Sequence, residues 1–161
     1  MKPEELKNYR DQIDDIDDQL IHLLVKRAGF VKQVGERKKL ANLPVFRPER
    51  EVAIIERMCK KNKQLSGFLA DNSIATIWLE IISGCRALER KIEISYLGPS
   101  GTYSELAART LFGHQVILHP YDSLEEVVRV AEIGKTDLAL IPVENSTEGT
   151  VGRSLDLLLK T

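Results

Sequence analysis

Four cations fall on or beside faces that should be apolar, and no other feature of this sequence has clearer chemical content. Arg27 stands between Leu23 and Phe30 in a run of apolar residues spaced three and four apart. Lys38 follows eleven residues later, three helical turns on and at nearly the same azimuth. Arg10 borders the same run near its other end, and Arg50 opens a further helical stretch. One long cation on such a face can lay its stem on apolar surface and keep its head in water. Several gathered on one interior need anions, because unpaired buried charge is expensive. Glu51 and Glu89 are the carboxylates at hand, and two acids do not neutralise four cations, so a dianionic small molecule is the remaining partner.

Glu89 comes eleven residues after Trp78, on the stripe that carries Cys85. It reads either as an internal salt-bridge partner or as a hydrogen-bond donor in a closed site, where burial favours the protonated acid. In the second case activity falls as the acid ionises with rising pH, and Glu89→Gln flattens the fall. Cys85 has no adjacent His and no Ser–His pair is visible, so covalent catalysis lacks a nucleophile. The chemistry open to such a pocket is positioning and electrostatic stabilisation of a reacting dianion.

Helices must hold these groups. Leu6, Tyr9, Ile13, Ile16, Leu20, Leu23, Arg27, Phe30 and Val34 follow a heptad seam with no Pro before Pro44, which predicts one helix over residues 4–40. Its length is about 55 Å at about 1.5 Å per residue, whereas a globule of about 90 residues is only about 30 Å across. The overhanging seam would cost about 25 cal/mol per Å² in water, so a second copy should cover it, giving an intertwined homodimer through the long first helix. Arg47-Pro48-Glu49-Arg50-Glu51 starts a second helix, reaching about Lys61. A third begins with Asp71 or Asn72 as N-cap and carries the stripe Ile74, Ile77, Trp78, Ile81, Ile82, Cys85 and Leu88.

After Lys91 the pattern alternates between strand and helix. Strands are expected at 92–97, 116–119 and 137–141, helices at 103–112 and 124–133, and a last helix near Val151, which predicts a small parallel sheet with helices on its faces. The loops 98–104 and 142–149 follow strands, where ligands of open α/β sheets bind, and a Gly-rich turn before a helix leaves N–H groups for an anion. Thr102, Ser104, Asn145 and Ser146 are the side chains there, equally readable as ordinary caps and turns.

The whole chain has 161 residues and a net charge of -1, with 43% hydrophobic and 29% charged residues, the profile of a soluble globular protein. Up to Lys91 there are 18 Lys and Arg against 14 Asp and Glu, then 5 against 10, so a basic part precedes an acidic one and the boundary is placed between 91 and 92. The basic part alternates with the acids Asp11, Asp14, Asp15, Asp17 and Asp18 and has few aromatics, which argues against nucleic acid. No apolar stretch can span a bilayer and no signal peptide is visible, so no membrane and a cytoplasmic location are expected. Cys59 and Cys85 have no metal-ligand spacing, and His22, His114 and His119 are scattered surface or packing residues, so neither metal nor cofactor is expected.

Arg10, the VKR at 25–27, VGERK at 34–38, PVFRPERE at 44–51 and EIISGCRALE at 80–89 together resemble the all-helical chorismate mutases, intertwined dimers that rearrange chorismate to prephenate. The resemblance implies that Arg10 of one subunit and Arg27 of the other hold the two substrate carboxylates. Lys38 contacts a carboxylate and the ether oxygen whose bond breaks, Glu89 donates to that oxygen, Glu51 binds the substrate hydroxyl and Arg50 supports the carboxylate end. Arg47 and Cys85 stand where some members carry Asp and Ser.

YLGPSGTYSELAA and LALIPVENSTEGTV resemble the opening motifs of prephenate dehydratase, which makes phenylpyruvate, and the two parts in this order resemble the bifunctional mutase/dehydratases of phenylalanine biosynthesis. The family's second dehydratase lobe and regulatory domain have no counterpart before Thr161. The expectation is therefore a fragment, with a mutase over 1–91, an incomplete dehydratase lobe over 92–161, and no dehydratase turnover or phenylalanine inhibition. Thr102, Ser104, Asn145 and Ser146 would contact substrate only in the complete lobe. Read without the resemblance, the cation cluster also fits a module that binds a carboxylate metabolite without converting it. A purely structural coiled coil would have no use for Arg27 on its seam.

Overall fold

The computed structural model describes residues 3–145, 149–150 and 152–159. The chain divides into two compact units, residues 1–45 and 46–161, so the contacts do not separate at the composition boundary between 91 and 92.

The first unit is built on α1 (Pro3–Leu40), whose 38 residues rise about 57 Å. Glu4 and Glu5 in its first turn and Arg37, Lys38 and Lys39 in its last complement the helix dipole. Asn42, with φ 51°, and the bond from Leu43 N–H to the Lys38 carbonyl at 2.9 Å close the helix ahead of Pro44. The predicted seam lies open along α1: Tyr9, Ile13, Ile16, Leu20, Leu23, Phe30 and Val34 are 49–63% exposed.

In the second unit α2 (Pro48–Gln64) starts with Pro at the position expected, but runs past Lys61 because nothing breaks it before Ser66-Gly67. It packs against α3 (Asp71–Arg86). The expected cap by Asp71 or Asn72 is not made. Ala70 takes the N-cap position, Asp71 is engaged by Lys63 at 2.6 Å, and the Asn72 amide oxygen accepts from Ser73 N–H at 2.8 Å. The predicted stripe is also only partly inward: Ile74, Ile82 and Cys85 are buried, whereas Ile77 and Leu88 are exposed and Leu88 lies beyond the helix end.

A three-stranded parallel sheet follows, in the order β2-β1-β3, formed by β1 (Glu93–Leu97), β2 (Ile117–Tyr121) and β3 (Leu138–Leu140). The register sets Glu93 opposite Ile117 and Ile94 opposite Leu138. Strand β2 continues through Pro120, two residues past the expected end, which an edge position tolerates because one side of the strand has no ladder to break. The crossovers are α4 (Tyr103–Phe112) and α5 (Leu124–Glu132). Ser95 of central β1 donates its Oγ to the Val127 carbonyl of α5, whose Leu124, Val127, Val128 and Val130 are buried, while Ile94 and Tyr96 are buried on the opposite face, where the Tyr96 hydroxyl meets Glu105 of α4, so β1 is covered on both sides. A short antiparallel pair, β4 (Glu144–Asn145) with β5 (Gly149–Thr150), was not foreseen in the 142–149 loop. Helix α6 (Gly152–Leu158) follows, near the expected position, with Ser154 Oγ donating to the Pro142 carbonyl at 2.6 Å. The chain is thus helical as far as Arg86 and α/β beyond, the fold class expected.

Candidate active site

On α1 the seam cations lie where the spacing places them, each with different surroundings. Arg10 is exposed. Arg27 is half-buried, and its Nη1 is enclosed without a hydrogen-bond partner among the described residues. Such a donor loses its hydration with nothing in return, a cost that an incoming acceptor would remove. Lys38 Nζ donates to the Val45 carbonyl at 3.2 Å, which turns the side chain back over the end of its own helix. Seventeen residues separate Arg10 from Arg27, about 25 Å of straight helix, so the two cannot grip one small molecule from the same copy of α1.

In the second unit Arg47 precedes α2 and its Nε donates to Glu49 Oε1 at 2.8 Å. Its own backbone N–H and the Arg47 guanidinium hold the Glu49 carboxyl below the usual range. Arg50 is exposed in the first turn. Glu51 is not free to neutralise Arg10, Arg27, Lys38 and Arg50: both its oxygens accept from Arg86 Nη1, at 2.7 and 2.6 Å. Cys85 is a buried free thiol. Glu89 lies beyond α3, in the turn closed by its own N–H donating to the Arg86 carbonyl at 2.9 Å, and it is half-buried. The stripe expected to carry it therefore ends one turn early, and the closed surroundings assumed for its acid are only half made.

In the α/β part Thr102 occupies the N-cap position of α4, but its Oγ1 donates to the Leu97 carbonyl at 3.4 Å instead of capping. Ser104 is half-buried in the first turn of α4. Asn145 pairs through its backbone with Gly149, and Ser146 lies outside the described residues. The carboxylate that organises the 98–104 loop is Glu105. It accepts from Gly101 N–H at 2.8 Å and from Arg109 at 2.8 and 3.1 Å, and these donors hold its carboxyl below the usual range. Gly101, at φ 84°, adopts the left-handed backbone this arrangement needs.

Two further residues escaped the sequence reading. Arg86 is 4% exposed and pairs with Glu51. Its signal was its place one turn after buried Ile82, within about 40° of that azimuth, where a charge must find a partner. Asp137 accepts from Arg90 Nη1 and from Glu93 N–H, each at 2.9 Å, and so ties the junction between the helical and α/β parts to the start of β3. Burial works against the Asp137 anion, and the Arg90 and Glu93 donors outweigh it, holding its carboxyl below the usual range. The histidines pair locally: His22 Nδ1 lies 2.7 Å from the Asp18 carbonyl, His114 Nδ1 2.7 Å from Glu80, and His119 Nε2 2.8 Å from Glu93. Among the described residues no cluster of His, Cys, Asp and Glu could hold a metal ion, and no helix is long and apolar enough to cross a membrane.

Two families match this chain in tandem: chorismate mutase type II over residues 9–90 and prephenate dehydratase over residues 94–161. The bifunctional chorismate mutase/prephenate dehydratase of Aquifex aeolicus is 40% identical over 159 residues, covering 98% of this chain and 44% of that protein. Its namesake in Neisseria gonorrhoeae is 42% identical over 153 residues, covering 95% and 41%. The X-ray structure of prephenate dehydratase from Streptococcus mutans is 35% identical, with a TM-score of 0.41, over 44% of this chain and 37% of that one. The chain therefore spans less than half the length of the curated relatives it matches. With the cation-bearing helices α1, α2 and α3 all within the span matched, the chain belongs to the chorismate mutase type II family.

Proposed function

We propose that the chain converts chorismate to prephenate by an intramolecular pericyclic rearrangement, the step of phenylalanine biosynthesis that feeds prephenate dehydration. The observation that carries this reading is the Nη1 of Arg27, enclosed and without a partner among the described residues, on a helix of a chorismate mutase family member. A dicarboxylate supplies the acceptor that nitrogen lacks. Arg10 and Arg27 hold the two carboxylates from different copies, consistent with their separation of about 25 Å along one helix. Lys38 and Glu89 face the ether oxygen, where negative charge grows as its bond stretches, so they bind the transition state more tightly than the substrate. Glu51 takes the substrate hydroxyl and Arg50 supports a carboxylate, while Arg47 and Cys85 border the pocket. No covalent intermediate and no cofactor enter the step.

The unit of function is a homodimer joined along α1, whose open seam supports that assembly, and its location is the cytoplasm. We place the domain boundary between 91 and 92, which the matched spans 9–90 and 94–161 support. In the complete dehydratase, Thr102, Ser104, Asn145 and Ser146 contact prephenate. Chorismate, prephenate and phenylpyruvate followed together in one sample test the reading. Loss of chorismate with matching gain of prephenate is expected, and a folded dimer that leaves chorismate untouched refutes it.

A further inference from the structure

Arg86 is a buried charge for which the mutase reading has no task. Its Nη1 donates to both oxygens of Glu51 and its Nη2 to the Phe112 carbonyl at 2.6 Å, where α4 ends. The guanidinium lies over the Phe46 ring, 5.4 Å from its centroid, and Phe46 meets Phe112 edge to face at 5.6 Å. A carboxylate gripped through both oxygens cannot rotate, yet each oxygen keeps a lone pair for one more donor.

The Phe112 carbonyl is itself held in place. His114 Nδ1 meets Glu80 at 2.7 Å and Gln115 N–H donates to Ser83 Oγ at 3.1 Å. Just before them Gly113 approaches α3 so closely that a Cβ there would lie 2.5 Å from the Cβ of Ser83. Glu80 and Ser83 lie on the same helix as Arg86, so residues 112–115 are seated on α3 by contacts that also aim the carbonyl.

We propose that Arg86 is a positioning residue for the mutase reaction: it holds Glu51 in the orientation that meets the substrate hydroxyl, and it is itself held by the Phe112 carbonyl. The turn that opens β2 of the α/β part thereby belongs to the scaffold of the mutase pocket. This role rests on the mutase reading above.

The test compares chorismate turnover and thermal unfolding of the whole wild-type chain with R86M, R86K, E51Q and the R86M/E51Q double variant. Losing a contact made equally in ground and transition states raises KM and leaves kcat. R86M and E51Q are therefore each expected to raise KM about tenfold or more with kcat within about threefold, the size of one lost hydrogen bond to a charged group. The double variant is expected to do no worse than the worse single, and R86K to recover part of the loss. An Arg86 that is only structural would lower Tm and the active fraction at unchanged KM, with an effect that multiplies with that of E51Q. Either result, or wild-type KM in R86M, overturns the proposal. If R86M does not fold, R86K decides by the same KM criterion. A wild-type chain with no chorismate turnover overturns the mutase reading and this role together; an active wild type with indifferent Arg86 variants overturns this role alone.

Discussion

Leu20→Glu on the α1 seam should separate the copies of the proposed dimer without unfolding the helix. Seven seam side chains, from Tyr9 to Val34, are about half exposed. Covering the exposed half of each contributes about 1 kcal/mol, hence about 7 per copy and about 14 for a pair. Association opposes this with about 4–15 kcal/mol of lost freedom, so the net affinity is set by a few side chains. Leu20→Glu removes about 1 kcal/mol per copy and adds a carboxylate that must desolvate in the seam, for a combined loss of at least about 4 kcal/mol, or about a thousandfold in Kd. Glu is as good a helix former as Leu, so helicity should hold. Sedimentation equilibrium reads the association, circular dichroism the helix, and chorismate turnover the site, which on the proposed reading takes Arg10 from the other copy. The expected result is a helical, inactive monomer. A wild-type chain that is monomeric and active, or a Leu20→Glu variant that stays dimeric, refutes the reasoning.

Mixing Arg10→Ala with Arg27→Ala, each inactive alone, should restore about a quarter of wild-type mutase activity, since half the dimers are mixed and each carries one intact site; no recovery would place both arginines in one copy. Arg27→Met should lower kcat/KM at least about tenfold while leaving Tm unchanged or higher, because Nη1 makes no hydrogen bond among the described residues to lose. Gly113→Ala forces a side chain into a left-handed backbone, φ 76°, and against Ser83, so Tm should fall by about 5–10 °C in a thermal melt. Glu105 titrates lower when folded than unfolded, so its stabilisation is complete above the unfolded value and fades as pH drops through the folded one. Glu105→Gln should accordingly show a shallower fall in Tm than wild type between about pH 5 and about pH 3.

The second half of the chain was the easier to read. Tyr103–Phe112 forms the helix expected at those residues, and the other elements of the sheet unit shift by a residue or two, because turn residues and apolar alternation mark element ends locally. Harder to foresee were Glu89 beyond the end of α3, the extra pair β4–β5 and the course of β2 through Pro120. Whether a helix gains one more turn, or a strand tolerates Pro, depends on what lies beside it.

By itself the sequence determined the long first helix, its exposed seam, the cations at Arg27 and Lys38 on one azimuth, and the change to alternating strand and helix after Lys91. Each is a period or a composition expressed within one element. The tertiary structure alone decided that Arg86 would grip Glu51, 35 positions away, that Phe112 would offer it a carbonyl 26 positions away, and that Arg90 would reach Asp137, 47 positions on. A buried charge announces that it needs a partner. Which partner it finds is set by the packing of elements far apart in sequence, and no period within either element encodes that choice.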